Sequence, residues 1–432
     1  MAEIRPFRAW RYNIEKISNI EEITSPLFDV ISPRQRQALY DHPFNSIHLS
    51  VPLGSEPPEN AKETVLQWKQ NRVILQDKLP GIYVYYQYFS LPGSDHEHVR
   101  KGFVANIKLY DWEDQVVLRH EATMPYSVKD RAEILHYTQM NVSPTHGLFT
   151  DAQKEIESYM DDAIRQPIYE VEDYQGVKDV MSVIHDRSII LRIMEILDDK
   201  QIILADGHHR YEGSLLYRNQ MKEKDPNHTG DEGYNYHMMY FSNTESDDLR
   251  VLPTHRVFQH TNITESELLR ILDEDFEIIP VQNAVDINDI ILGKRWTYGL
   301  LIGENAYKIK LRPGKINEMD WDLPEQVSLL DVTVIHYFLI EKRLHIQRAD
   351  QPDTDKVRFE RNFTECLREV VNGEAEFAII TREISIDTVK KVCYSGHTMP
   401  QKTTYFYPKV ICGFLFSTIE DDEFASRLDS SF

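Results

Sequence analysis

The chain reads as α/β (α+β). Three observations carry that reading. Short apolar or aromatic runs bounded by turn residues alternate with longer stretches at helical spacing. No fixed-period repeat or low-complexity tract interrupts them, and aromatic residues run through the whole length, which argues against long disorder. The 432 residues leave room for two or three domains of ordinary size, or one large composite unit.

The elements follow in chain order. GIYVYYQYFS (81–90) is aromatic and β-branched, with Pro80 before it and Pro92-Gly93 after. It predicts a strand, with KGFVANIKLY (101–110) as its partner across the polar loop SLPGSDHEH. SVKDRAEILHYTQMN (127–141) has helical spacing after a Ser cap, and VKDVMSVIHDRSIILRIMEILDD (177–199) reads as helical segments. QIILA (201–205) is a short buried strand stopped by Asp206-Gly207, and HRYEGSLLYRNQMK (209–222) returns to helical spacing. YNYHMMYFSN (234–243), VLPTHRVF (251–258), WTYGLLIG (296–303), AYKIKL (306–311), EFAIITR (376–382) and VICGFLF (410–416) read as strands. SLLDVTVIHYFLIEKRL (328–344) predicts a helix. KEKDPNHTGDEG (222–233) is a polar loop, and capped, acidic first turns in TNITESELLRILDEDFEIIPV (261–281) open a new segment, which sets a boundary near 260. The expected organisation is an N-terminal extension over 1–114, a core over 115–260, and a C-terminal lobe over 261–432 that returns Lys402–Lys409 to the cleft.

Charge narrows the function. Forty-eight basic against 70 acidic residues give a net charge of −22. That disfavours nucleic acid and anionic membrane as partners, because both need a basic face. It leaves room for a small basic pocket. The three cysteines, Cys366, Cys393 and Cys412, form no C-x-x-C pair, so no zinc knuckle or redox dithiol is signalled. The start, MAEIRPFRAWRYN, has no apolar core of a signal peptide, and no long uninterrupted apolar stretch occurs. The expectation is a soluble, cytoplasmic protein.

The most informative tract is QIILADGHHRYEGSLLYRNQ. A strand runs into Asp206-Gly207, and His208, His209 and Arg210 open a helix. The first amides of a helix favour an anion, and Arg210 adds a planar fork of donors suited to phosphate. Asp206 can cap the helix, bind a cation or take a proton. The alternative is an ordinary helix start with solvent-facing side chains. A second tract, VVLRHEATMP, gathers Arg119, His120, Glu121 and Thr123 at a strand end, with Lys129, Asp130 and Arg131 following. Consecutive His120 and Glu121 face opposite ways on a strand, and no H-E-x-x-H spacing supports a zinc protease. A third, HTMPQKTTYFYPKV, offers Lys402, Thr403, Thr404 and Lys409, donors that suit phosphate or pyrophosphate. No Walker loop occurs. Smaller candidates for the cleft are Thr254, His255 and Arg256 in PTHR, Asp29 in SPLFDVIS, and Asn45 in HPFNSIHL.

With these residues in view, the chain resembles the domain-of-unknown-function 1015 family of bacterial and archaeal proteins over nearly its full length. The stations are Arg5-Pro6-Phe7, PLFDVIS (26–32), HPFNSIHL (42–49), RHEATMP (119–125) with Asp130-Arg131, ADGHHRYE (205–212), LPTHRV (252–257) and MPQKTTYFYPK (399–409). Leu27-Phe28 stands where the family tends to have Pro-Tyr, and Thr403 where Ser is usual. The D-G-H-H-R turn also looks like the signature turn of the ParB/sulfiredoxin-like fold, in which a helix start cradles a transferring phosphate. His208 stands where sulfiredoxins carry their thiol, which disfavours that chemistry.

The resemblance implies a ParB/sulfiredoxin-like core whose N- and C-terminal extensions share one cleft. It implies a kinase that converts free L-serine to O-phospho-L-serine, with pyrophosphate or a nucleotide as donor and Mg²⁺ as cofactor. In that picture Glu121 or Asp206 is the base or Mg²⁺ ligand, and Gly207, His208, His209 and Arg210 hold the transferred phosphoryl. Arg119, Arg131, Lys402, Thr403, Thr404 and Lys409 hold the remaining phosphates. Two alternatives stand beside it: another phosphate-handling enzyme (nucleotidase, phosphatase or nuclease), and a non-enzymatic ParB-like binding or regulatory protein.

Overall fold

The computed structural model describes residues 2–17, 19–27, 33–91, 95–173, 175–351, 354–400 and 402–424. The chain forms two compact units. The first comprises Met1–Arg119, Thr123–Arg250 and Pro408–Phe432, and the second His120–Ala122 and Val251–Tyr407. Both mix helices and strands, so the class is mixed α/β.

The first unit is built on a mixed sheet of nine strands among the described residues. Its path runs Val117–Arg119, Ile202–Asp206, Thr145–Phe149, Tyr236–Asn243, Glu97–Lys108, Ile82–Ser90, Lys178–Ile184 and Tyr169–Glu172, with Ile4–Arg5 also pairing to Glu97–Lys108. Alternation sorts the side chains of Ile82–Ser90. Ile82, Val84 and Tyr86 share a core with Ile190, Ile193 and Leu197 of the helix Arg187–Asp198. Tyr83 and Tyr85 share the opposite core with Val410, Ile411, Phe414 and Leu415. Both faces are covered, so the strand is apolar nearly throughout.

That covering explains one departure from the sequence reading. Residues 410–416 are apolar because they lie against a sheet face, yet they form no strand. Their backbone pairs only at isolated bridges, Ser25 with Cys412 and Trp10 with Phe416. Gly413 between them has φ +107, a conformation that breaks a strand.

A second departure lies at 177–199. The first half is a strand, Lys178–Ile184, paired antiparallel on both sides. The helix begins only at Arg187, where the Asp186 side chain accepts from the Ser188 and Ile189 amides. The helix predicted after a Ser cap instead spans Pro125–Thr138, with Met124 before it and proline in its first turn.

The second unit carries a six-stranded antiparallel sheet in the order Phe276–Val281, Asn305–Leu311, Thr297–Ile302, Phe377–Ile380, His255–Phe258, Val357–Glu360. One face packs Leu300, Phe258 and Ile379 against Leu268, Leu272 and Phe338. The other packs Val257, Leu301 and Ala378 against Ile287, Cys366 and Val370. The predicted helix at 328–344 is α-helical over Asp331–Ile335 and widens to π-helical turns over His336–Glu341. No helix among the described residues is long and apolar enough to cross a membrane.

Candidate functional site

The strand Ile202–Asp206 lies between Val117–Arg119, parallel to it, and Thr145–Phe149, antiparallel to it. The antiparallel register slips between Leu204 and Asp206, which brings Asp206 opposite His146. Gly207 follows with φ +88, and the helix His208–Lys224 begins at once. A Cβ at Gly207 would sit 2.7 Å from Thr145 Cγ2 and 2.8 Å from Arg210 Nη2. Only glycine suits both the conformation and the space. The first amide to close a helical bond is that of Tyr211, to the Gly207 carbonyl. Gly207 supplies no side-chain cap to the amides before it.

Asp206 is the electrostatic centre of this turn. Its Oδ2 accepts from Arg210 Nη2 at 2.8 Å, and its Oδ1 accepts from Lys409 Nζ. Burial alone would raise the pKa of this carboxyl, but the charges of Lys409 and Arg210 outweigh it and hold the group well below the usual carboxylate range. Arg210 Nη1 donates to Ser143 Oγ and to the Pro144 carbonyl, so its fork grips the neighbouring loop as well as Asp206. Two cations against one anion leave the turn net positive, at the positive end of a 17-residue helix.

Buried histidines surround it. His146 Nε2 lies 2.7 Å from Ser242 Oγ, and burial, followed by the charge of Arg100, holds its pKa well below the ordinary value. His237 Nδ1 lies 2.8 Å from Ser214 Oγ, and burial followed by the Arg210 charge lowers its pKa to about 3. His208 is buried. His209 Nε2 accepts the Met124 amide at 3.0 Å. One helical step further, Glu212 accepts from Thr123 Oγ1 at 2.5 Å and lies 3.6 Å from Arg119 Nη1.

The sequence candidates therefore fall into two groups. Asp206, Gly207, His208, His209, Arg210, Lys409, Arg119 and Thr123 belong to the first unit. Arg131 and Asn45 belong to it too. Arg131 donates to Asp130 at 2.8 Å and to the Ser50 carbonyl at 2.6 Å. Asn45 donates to the carbonyls of Glu22 and Thr24 and accepts from the Ile47 amide. Asp29 lies outside the described residues.

The second unit holds His120, Glu121, Thr254, His255, Arg256, Lys402, Thr403 and Thr404. The His120 ring is joined to Thr404 Oγ1 at 2.7 Å, and its carbonyl accepts the Met399 amide at 2.7 Å. Thr403 Oγ1 donates to the Pro400 carbonyl, and Lys402 is exposed with φ +55. His255 Nδ1 accepts the Thr381 amide at 3.2 Å, and burial lowers its pKa to about 4. Arg256 is 1% exposed; its Nε donates to His336 Nε2 at 3.2 Å and its Nη1 to the Thr254 carbonyl.

Sequence reasoning did not single out Glu212, His146, His237 or His336. Glu212 lay in the D-G-H-H-R-Y-E tract itself, three residues after His209 and so on the same helix face. The histidines gave no local signal, since each is defined by a partner distant in sequence.

Two arrangements bear on metals. His96, His98 and Asp248 bring ligand atoms within 4.8 Å of one another. Arg250 Nη2 already stands 3.3 Å from His98 Nδ1, so positive charge is supplied there. At the turn, both oxygens of Asp206 accept from cationic side chains, and as placed this carboxylate offers no vacant oxygen pair to Mg²⁺.

The chain belongs to the DUF1015 family: the model described as a protein of unknown function (DUF1015) matches residues 4–333. The station at 399–409 lies beyond the matched range. No curated protein matches the chain. Among solved structures it is similar to a mutant free serine kinase in complex with AMP, at 12% identity and TM-score 0.37, covering 76% of this chain and 95% of that one. It is also similar to a conserved hypothetical protein from Pyrococcus furiosus, at 13% identity and TM-score 0.36, covering 74% and 96%. SbnI with a C-terminal truncation, from Staphylococcus aureus, is similar at 11% identity and TM-score 0.36, covering 72% and 87%. Likenesses this distant carry neither substrate nor mechanism across.

Proposed function

We propose that the protein is a phosphotransferase that converts free L-serine to O-phospho-L-serine, with pyrophosphate or a nucleotide as donor, and that its turn at Asp206–Arg210 works as the ParB/sulfiredoxin-like phosphate cradle. The observation that carries this reading is the net-positive cluster of Asp206, Arg210 and Lys409 at an uncapped helix start. Such a start binds an oxyanion through backbone amides and field. The resemblance of the D-G-H-H-R turn to phosphate-cradling relatives supports the same use.

In this reading the serine hydroxyl oxygen attacks the terminal phosphorus of the donor, the bond to the bridging oxygen breaks, and the donor leaves with that oxygen. The helix amides, Arg210 and Lys409 stabilise the charge on the transferring group. Asp206, held ionised by two cations, is a weak base and instead positions them. Glu212, beside Thr123, is the base at the turn. A Mg²⁺ ion carried by the donor would neutralise part of its phosphate charge, the role that Arg210 and Lys409 serve from the protein side.

The test is incubation of the protein with Mg²⁺, L-serine and pyrophosphate, ADP or ATP in turn, with phosphoserine as the readout. Phosphoserine with one of these donors is expected, and its absence with all of them overturns the reading. Phosphate release without serine would assign a hydrolase instead. Arg210→Ala is expected to lower turnover about 100-fold or more, as loss of one transition-state donor does. Glu212→Gln is expected to lose turnover and the acid limb of its pH profile, and an unchanged rate removes Glu212 as the base.

A further inference from the structure

His96 and His98 stand at the start of the strand Glu97–Lys108 in the first unit. Residues two apart on an extended chain share a face. The two rings meet edge-on, with centroids 4.5 Å apart. Asp248 reaches the same place from the segment that follows Tyr236–Asn243. Its Oδ1 lies 2.7 Å from His98 Nδ1, and its Oδ2 accepts the Val99 amide at 3.1 Å. One ligand atom from each of the three side chains lies within 4.8 Å of the other two. His98 is buried, Asp248 half-buried and His96 exposed, so solvent reaches the cluster at His96.

The chain's own cation at this place is Arg250. Its Nη2 stands 3.3 Å from His98 Nδ1 and 3.8 Å from Asp248 Oδ1. One ring nitrogen cannot give a proton to Asp248 and accept one from Arg250 at the same time. The two contacts exclude each other as hydrogen bonds. A metal ion removes the conflict, because it takes the nitrogen's lone pair and the carboxylate together. Arg250 can give way: its Nη1 donates to the main-chain carbonyls of Asp247 and Leu249, and its side chain is 30% exposed. Ligand atoms about 2 Å from one ion lie at most about 4 Å apart. The cluster therefore closes onto an ion by under about 1 Å, a shift that the exposed His96, ahead of the strand, can supply.

We propose that His96, His98 and Asp248 form a site for one divalent transition-metal ion, which enters as Arg250 swings away. Two imidazoles and one carboxylate select zinc, nickel or cobalt over magnesium and calcium, which take oxygen shells. Three protein ligands leave a position to water. The bound ion ties the start of the strand Glu97–Lys108 to the segment that carries Asp248. The site stands whether or not the turn at Asp206 transfers phosphate.

The experiment strips the full chain with a chelator and titrates it with zinc in competition with a chromogenic chelator. One equivalent is expected to bind, and millimolar magnesium should not displace it. His96→Ala and Asp248→Asn should each weaken zinc binding about 10-fold or more. Arg250→Ala should tighten it about fivefold or more, since a like charge about 4 Å away is removed. No bound zinc overturns the proposal, as does displacement by magnesium. Unchanged binding in both ligand variants places the ion elsewhere, and loss in His96→Ala alone leaves only a surface histidine pair; either result overturns the site. Loss in Asp248→Asn alone excludes His96 and overturns it too. Unchanged or weaker binding in Arg250→Ala overturns the exchange. Should Asp248→Asn fail to fold, the other two variants decide: weakening in His96→Ala with tightening in Arg250→Ala supports the site, and any other pair of results removes it.

Discussion

The Asp206 turn and the buried Arg256 are opposite solutions to burying charge. At the turn, one carboxylate takes Arg210 on one oxygen and Lys409 on the other, and the anion is satisfied within the chain. At Arg256, a guanidinium 1% exposed meets a ring nitrogen, a carbonyl and the face of the Phe359 ring, none of them charged. A buried charge whose opposite is built into the polypeptide is part of the fold. One held by neutral acceptors keeps its desolvation cost, set against only the field of more distant groups such as Glu121.

The contrast is broken or sharpened first by removing a cation from each. Lys409→Met takes away half of the compensation around buried Asp206 and is expected to cost about 3 kcal/mol in chemical unfolding. Arg256→Met removes a charge that has no ion-pair partner, and its cost should stay below about 1 kcal/mol or change sign. Equal costs would mean that Arg256 is compensated as fully as Asp206. The difference between the two regions would then disappear.

How much of this was legible beforehand follows from distance along the chain. The strand at 202–206, the Asp206-Gly207 stop and the helix after it are local features, and apolar run, turn residue and helical spacing announce them together. The ion pair of Asp206 with Lys409 joins residues 203 positions apart, and no local pattern encodes it. Lys402, Thr403 and Thr404 were grouped with Lys409 because they are neighbours in sequence, and the chain changes unit between Tyr407 and Pro408. His120 and Glu121 were grouped with Arg119, and the chain changes unit there as well. The strand Lys178–Ile184 was hidden because its partners on both sides, not its own periodicity, make it a strand.

The backbone at the turn gives a smaller effect. Gly207→Ala puts a methyl 2.7 Å from Thr145 Cγ2 at φ +88. Strain and crowding together are expected to cost about 2 kcal/mol. Turnover should fall more than stability accounts for, since the helix amides shift with the residue. A variant as stable as the parent would show that Thr145 yields without loss.

Acid is expected to separate the regions least, because both bury neutral histidines. His237 in the first unit titrates at about 3, against an ordinary value of 6.5, and burial is the leading cause. His336 in the second unit is lowered to about 3 for the same reason. A depressed histidine pKa means that the unfolded chain takes up a proton below pH 6.5 that the folded chain refuses. Stability is therefore complete above about pH 6.5 and falls as pH drops toward the folded values. Each such ring should cost about 1 kcal/mol by pH 5.5. Asp206 adds to this only below its unfolded value of 3.8, where protonation of the unfolded chain begins to oppose its pairing with Lys409 and Arg210. His237→Asn should flatten the dependence of Tm on pH between 6.5 and 4 by one proton, and His336→Asn by the same amount. An unchanged slope in either variant would mean that its ring is charged in the folded state, and that the surrounding unit supplies a counter-charge near it after all.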